Sequence, residues 1–176
     1  RMVFDELLCL TICFARMRQG RALRHIVPMQ PHPLTAYYQA LPYQLTGAQQ
    51  RAIAEAIGDM CSGTPMNRMV QGDVGSGKTL VFLKLIARCL ELGKRALVLV
   101  PEISLTPQMI LRLKSQFGRR VAVQHSALNH TERLLQWQMI QDGGADIVVG
   151  TRSAIFSPLE NIGLIIVDEE QEHTYR

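Results

Sequence analysis

The chain has 176 residues, of which 47% are hydrophobic, and a formal net charge of +4. This composition suffices for one domain with a real core plus a short appendage, and it excludes a disordered chain. The mildly basic balance is compatible with a polyanionic partner, and no apolar run approaches the length of a membrane span. The four cysteines lack metal-site spacing and predict buried thiols in a reducing cytosol rather than a zinc site.

The first 42 residues are predicted to form a leader. Residues 3–18 carry apolar side chains at helical spacing without Pro or Gly, which predicts a helix. Four prolines between positions 28 and 42 then predict an extended linker. The composition changes after Pro42, so we expect a domain boundary there, with residues 43–176 forming the main domain.

Strands and helices are predicted to alternate through the main domain. Thr46 can cap a helix that runs to about Cys61, and a short strand is expected at 68–71. A helix should follow from Lys78 to about Leu92, where Gly93 stops it. Strands are then predicted at 95–100, 120–124, 146–150 and 163–170, of which the first and the last two should be buried, with helices at 104–117 and 130–142. This order predicts an α/β fold with a parallel sheet covered by helices on both faces.

A glycine-rich loop lies between the first predicted strand and the helix at Lys78. Its sequence fits the phosphate-binding pattern G-x-x-x-x-G-K-[ST]. In such a loop the glycines let backbone N–H groups turn inward, and the next helix presents its N-terminus to an anion. Lys78 is expected to reach the β- and γ-phosphates of a nucleotide, and the Thr79 hydroxyl to bind Mg²⁺. The predicted nucleotide-binding residues here are Gly72, Asp73, Val74, Gly75, Ser76, Gly77, Lys78 and Thr79. A chance glycine turn is the alternative.

An acidic segment follows the last predicted strand. Asp168 would stand at the carboxyl end of that strand, where such folds bind ligands, and is expected to hold Mg²⁺. Glu169 is expected to orient or deprotonate the attacking water. The alternative is an exposed acidic turn. Together with the glycine loop, the segment predicts a nucleoside triphosphatase.

The sequence Asp-Glu-Glu-Gln at 168–171 has the form of a helicase motif. The chain resembles the motor domain of superfamily 2 DNA helicases, which implies a RecA-like P-loop NTPase lobe. The stretches LPYQLTGAQQRAI and PMNRMVQGDVGSGKT are similar to the RecG family of branch-migration helicases. The stretches ALVLVPEISLTPQMI, HSALNHTERLLQW and IVVGTRSAIFSPLENIGLIIVDEE resemble the PriA family of replication-restart helicases. The N-terminal half thus resembles one family and the C-terminal half the other, as in a natural or engineered mosaic.

The resemblance implies further roles. Gln49 matches the residue that recognises adenine, so ATP is expected over GTP, with a polar residue in the first turn of a helix as the alternative. The loops 101–108 and 150–156 match motifs that contact the DNA backbone. The implied DNA-binding residues are Thr106, Gln108, Thr151, Arg152 and Ser153, with a salt-bridged surface arginine as the alternative for Arg152. Gln171 stands where both families carry histidine and is expected to link the nucleotide site to the other motor lobe. For His125 and Ser126, a DNA contact and a plain polar loop stay open.

The implied cofactors are ATP and Mg²⁺, and the implied partner is forked or branched DNA. A second RecA-like lobe, absent from this chain, would supply the arginine fingers that accelerate hydrolysis. We therefore expect slow hydrolysis by this lobe, and a monomer in the bacterial cytoplasm, nucleoid-associated and without a membrane contact. The alternatives are a nucleotide- or DNA-binding module without activity of its own and a small-molecule P-loop kinase.

Overall fold

The computed structural model describes residue 29 and residues 45–171. The helix predicted at 3–18, the boundary predicted after Pro42 and nearly all of the proline-rich linker lie outside the described residues. The chain divides into two compact units, residues 1–85 and 86–176. Among the described residues, no helix is long and apolar enough to cross a membrane.

Helix α1 of the first unit spans Gly47–Met60, as predicted. Its N-terminus is a capping box: the Thr46 hydroxyl accepts a hydrogen bond from the Gln49 backbone N–H at 3.3 Å, and Gln49 Oε1 accepts one from the Thr46 N–H at 2.9 Å. The helix ends at Cys61 and buries three side chains at helical spacing, Ile53, Ala56 and Met60.

The strand predicted at 68–71 is wrong, because these residues have irregular backbone and Met69 is 73% exposed. The Arg68 guanidinium instead forms salt bridges with the α1 carboxylates of Glu55 and Asp59, at 2.5 and 2.8 Å. Only two of the four residues, Met69 and Val70, are apolar, so the segment is too short to show a periodicity, and a strand forms only where it gains a pairing partner.

Helix α2 spans Lys78–Glu91 and ends before Gly93, close to the predicted limits. The division between the two units falls within it. In its second part Cys89 is fully buried, which raises the pKa of the thiol to about 12. The prediction of a buried thiol is confirmed for this cysteine.

The second unit contains a four-stranded parallel sheet in the order β2-β3-β1-β4, which confirms the predicted α/β class. The strands are β1 (Arg95–Leu99), β2 (Val121–Gln124), β3 (Ile147–Gly150) and β4 (Ile162–Val167), and the helices are α3 (Pro107–Phe117) and α4 (His130–Gln141). Helix α3 begins later than predicted, because the Thr106 hydroxyl caps it by accepting the Met109 N–H at 3.2 Å.

Strand β4 departs from the prediction in its burial. Its apolar sequence predicts a buried strand, but Ile165 is 53% exposed and Val167 43%. Among the described residues β4 pairs with β1 alone, so it forms an edge of the sheet. Strands β1 and β3 are buried as predicted, apart from the half-buried Arg95 at the start of β1, and β2 is buried as well.

The other edge strand, β2, is protected by a side chain of α4. Gln136 Oε1 accepts a hydrogen bond from the Val123 backbone N–H at 2.8 Å. The amide therefore has a partner without a further strand, which closes part of an edge that would otherwise offer unpaired backbone groups.

Candidate functional site

The glycine loop enters α2 with two glycines in left-handed backbone, Gly75 at φ +82° and Gly77 at +81°. A Cβ on Gly77 would collide with the Gln49 side-chain nitrogen. Position 77 therefore requires glycine for its backbone angle, and a Cβ there would also displace the end of the Gln49 side chain. Residues 72–76 are all exposed, and the side chain of Val74 lies entirely in solvent.

The ammonium of Lys78 is folded back over this loop. Lys78 Nζ donates hydrogen bonds to the carbonyl oxygens of Gly72 at 2.6 Å and Asp73 at 2.9 Å. A lysine has three donors, so one remains for another acceptor. Thr79 follows, half-buried, in the first turn of α2. The loop thus presents a fixed positive charge beside a helix N-terminus, which is suited to polyphosphate.

Gln49 connects α1 to the loop, a structural role in addition to the predicted adenine contact. Its Nε2 donates a hydrogen bond to the Ser76 carbonyl at 2.9 Å, while its Oε1 caps α1. The only sequence signal for a structural role is the spacing T-x-x-Q of a capping box. One N–H and one lone pair of the amide remain for a ligand, so the bridge is compatible with the predicted adenine contact.

In the second unit, Asp168 directly follows β4 at the carboxyl edge of the sheet. Its backbone N–H donates to the Leu99 carbonyl at 2.9 Å, and its Oδ1 accepts the Glu169 N–H at 3.1 Å. Glu169 has a left-handed φ of +51°, which is unusual for a residue with a side chain and is typical of functional sites. Glu169 and Gln171 are exposed. The acidic segment therefore presents carboxylates where this class of sheet binds ligands.

The loop after β3 leaves the same edge. A Cβ on Gly150 would collide with the Gln124 carbonyl oxygen and lie 2.7 Å from the Ala154 Cβ, so the close approach of β2 requires glycine. Thr151 is buried, with its hydroxyl 3.4 Å from that of Ser153, whereas Arg152 and Ser153 are exposed. Of these three predicted DNA contacts, two are accessible and Thr151 supports the loop.

The loop after β1 is tied to the loop after β2. The Ser126 hydroxyl bonds the Glu102 carboxylate at 2.8 Å, a pairing across 24 positions that no sequence pattern indicated. Thr106 and Gln108 are exposed at the start of α3. All the candidate DNA contacts and Asp168 thus belong to one edge of the sheet, because the strands are parallel. The sharing of one nucleotide by the glycine loop and Asp168 stays a prediction.

Comparison with known proteins adds the family. The DEAD/DEAH box helicase profile matches residues 46–176. The chain belongs to the DEAD/DEAH box helicase family. Membership implies the use of ATP and confirms the helicase resemblance and the RecA-like lobe drawn from the sequence.

This helicase lobe has bacterial relatives. It is 43% identical over 146 residues to replication restart protein PriA of Bacillus subtilis, covering 83% of this chain and 18% of that protein. It is 44% identical over 134 residues to PriA of Treponema pallidum, covering 76% and 20%. A solved structure of RecG bound to a three-way DNA junction is similar with a TM-score of 0.78 and 33% identity, over 92% of this chain and 23% of that one. The chain spans less than a quarter of the length of each.

Proposed function

We propose that this chain is the ATP-binding lobe of a DNA-dependent ATPase that works as a helicase at stalled forks or recombination intermediates. The main support for this proposal is the glycine loop, over which Lys78 is held by hydrogen bonds to the Gly72 and Asp73 carbonyls. The names of the relatives support a role at forks or recombination intermediates, since PriA is named a replication restart protein and RecG was solved on a three-way DNA junction. Branch migration and replication restart are both compatible with the lobe.

The residues of the glycine loop fit a nucleoside triphosphate with Mg²⁺. The loop amides and Lys78 would bind the phosphates, and Gln49 would read adenine with its remaining polar groups. Mg²⁺ would be held by the Thr79 hydroxyl and Asp168, because hard cations prefer oxygen ligands, and it would neutralise charge on the phosphates. Residues 45–171 contain no group of three or more His, Cys, Asp or Glu that could hold a metal ion, so phosphate oxygens and water would complete this site.

Hydrolysis requires an ordered water molecule and a link to the rest of the motor. Glu169 would orient the attacking water from its left-handed position beside Asp168. Gln171 would relay the nucleotide state to a second RecA-like lobe by hydrogen bonds, without the charge that a histidine can carry. That lobe would also supply arginine fingers, which are worth about 10³ to 10⁵ in rate, so this chain should turn over slowly by itself.

The DNA contacts proposed for this lobe address the backbone. Arg152 and Ser153 expose a cation and a hydroxyl after β3, and Thr106 and Gln108 expose polar groups at the N-terminus of α3. Such groups bind phosphate oxygens without reading sequence, which suits a translocating motor. Thr151 holds its loop in place from a buried position.

Calorimetric titration of Mg-ATP and Mg-GTP into the chain tests the nucleotide part of this proposal. We expect ATP to bind more tightly than GTP, and Lys78→Ala to weaken ATP by at least about tenfold, which is 1.4 kcal/mol. Lys114→Ala, at an exposed lysine of α3, is the matched control and should bind as the parent does. Equal binding by Lys78→Ala would contradict the assignment of the loop.

Steady-state ATP turnover with and without forked DNA tests the functional state of the lobe. Slow, weakly stimulated turnover is expected. A rate typical of an intact helicase would show that no second lobe is needed. Nucleotide binding without any DNA binding would leave a nucleotide-binding module as the better description.

A further inference from the structure

Three large apolar side chains are exposed on the loops at the carboxyl edge of the sheet. Phe156 is 80% exposed and Ile155 56%, both in the short 3₁₀ helix Arg152–Phe156 that follows β3. Ile103, in the loop after β1, is 84% exposed. Since β1 and β3 are paired neighbours in the sheet, these two loops leave adjacent strands.

The 3₁₀ helix holds Phe156 outward on a rigid support. Ala154 is buried in the core cluster that contains Leu97 and Leu99. The Ala154 N–H donates to the Thr151 carbonyl at 2.8 Å and the Ala154 carbonyl accepts the Ser157 N–H at 3.0 Å, so both ends of the turn are fixed. With three residues per turn, burial of position 154 directs position 156 away from the core. The exposed ring is therefore a consequence of how the loop is anchored.

The same segment carries groups that suit a phosphate. Ser153 is exposed one turn before Phe156 and Arg152 is exposed four positions before it, so a cation, a hydroxyl and an aromatic face share a five-residue helix. A protein partner would be served by the apolar groups alone. The combination of phosphate-binding groups with an aromatic face instead matches a nucleotide whose base is unpaired, because aromatic rings stack on bases and stacking tolerates any sequence.

We propose that Phe156 is a stacking platform for an unpaired base of single-stranded DNA whose backbone lies on Arg152 and Ser153. The inference rests on the proposed function, because it assumes that this loop meets DNA. It adds that the lobe contacts bases as well as phosphates. Single strands should be preferred over duplex, in which base faces are already stacked.

Fluorescence anisotropy with three labelled DNAs of equal length tests this directly. The DNAs are a thymine strand, an abasic strand that keeps the phosphates and lacks the bases, and a blunt duplex. Phe156→Ala should weaken the thymine strand about 5- to 150-fold, which corresponds to the 1 to 3 kcal/mol of one stacked base. It should leave the abasic strand and the slope of affinity against salt unchanged, since no phosphate contact is lost.

Two variants make the result specific. Leu111→Ala removes another exposed apolar side chain, 67% exposed on α3, and should bind all three DNAs as the parent does. Phe156→Trp should keep the affinity for the thymine strand. In a Trp137→Phe background it also carries the chain's single tryptophan, whose fluorescence should be quenched by the thymine strand and not by the abasic one.

The outcomes separate the inference from the proposed function. If the parent binds none of the DNAs while still binding ATP, both the DNA part of the proposed function and the stacking inference fail. If the parent binds the thymine strand and Phe156→Ala binds it equally well, stacking is refuted and the apolar loop is left as a protein-contact surface. Equal weakening of the thymine and abasic strands would also refute stacking and would assign Phe156 to the shape of the loop.

Discussion

Replacing Gln49 with glutamate separates the two structural roles of its amide, which are to cap α1 and to hold the glycine loop. The Oε1 atom caps α1 through the Thr46 N–H, and Nε2 donates to the Ser76 carbonyl of the glycine loop. Glutamate keeps an acceptor for the cap but has no donor for the loop. Gln49→Glu should therefore preserve α1 and disturb the loop alone.

The magnitude follows from the two bonds. A carboxylate in the first turn of α1 is favourable by about 0.3 to 1 kcal/mol, so the capped end of α1 should not be weakened. Losing the 2.9 Å bond to Ser76 removes about 0.5 to 1.5 kcal/mol, and the new oxygen faces the carbonyl oxygen and repels it. We expect these two effects together to destabilise the loop conformation by roughly 1 to 2 kcal/mol. The affinity for any ligand that requires this conformation should then fall about 5- to 30-fold.

Titrations with Mg-ATP, Mg-GTP and Mg-tripolyphosphate measure this. Tripolyphosphate has no base, so its weakening reports the loop, and any further loss for ATP alone reports adenine reading. Gln50→Glu is the matched control, because its side chain donates to the Leu45 carbonyl and does not touch the loop. Unchanged tripolyphosphate binding by Gln49→Glu, or an equal loss in Gln50→Glu, would refute the reasoning.

Two further predictions concern stability. Gln136→Leu should lower the free energy of unfolding by about 1 to 3 kcal/mol, because the buried Val123 N–H loses its acceptor, whereas Gln136→Glu should restore most of it. Urea unfolding checks this, and equal stability of Gln136→Leu and the surface variant Gln138→Leu would contradict it. The second concerns pH: the folded pKa of Cys89 lies near 12, above its ordinary 9.0. The thiol therefore stabilises the fold fully below pH 9 and loses that contribution as the pH rises toward 12, with a slope of about 1.4 kcal/mol per pH unit. In urea unfolding across this range Cys89→Ala should lack that slope and Cys61→Ala should retain it, and a parental slope in Cys89→Ala would exclude the thiol as its cause.

The features that the sequence predicted well depend on neighbouring residues. Thr46 and Gln49 form a cap because they are three positions apart, and the glycine loop is defined within eight positions by turn chemistry and a helix start. The near-continuous apolar runs of the inner strands β1 and β3 likewise predict burial, because both faces of such a strand are covered. In each case the cause lies within one local segment.

The features that were missed depend on contacts far along the chain. The run at 68–71 has apolar residues but no strand partner, and β4 was expected to be buried although it lies at an edge. The bond between Ser126 and Glu102 joins two loops that the sequence separates. The outward position of Phe156 depends on which residue of its turn the core buries, and a five-residue apolar and polar mixture does not reveal that.

The strand order has a consequence for synthesis of the chain. Strand β1 is made before both of the strands that pair with it in the described sheet, β3 and β4. At translation rates of about 5 to 20 residues per second, the roughly 50 residues from the start of β1 to the start of β3 take about 3 to 10 seconds to add. During that time the apolar β1 has no partner from the described sheet, so it depends on the ribosomal exit tunnel, neighbouring helices or a chaperone for protection. Of the four strands in the described sheet, β1 thus waits longest for a pairing partner while the protein is being made.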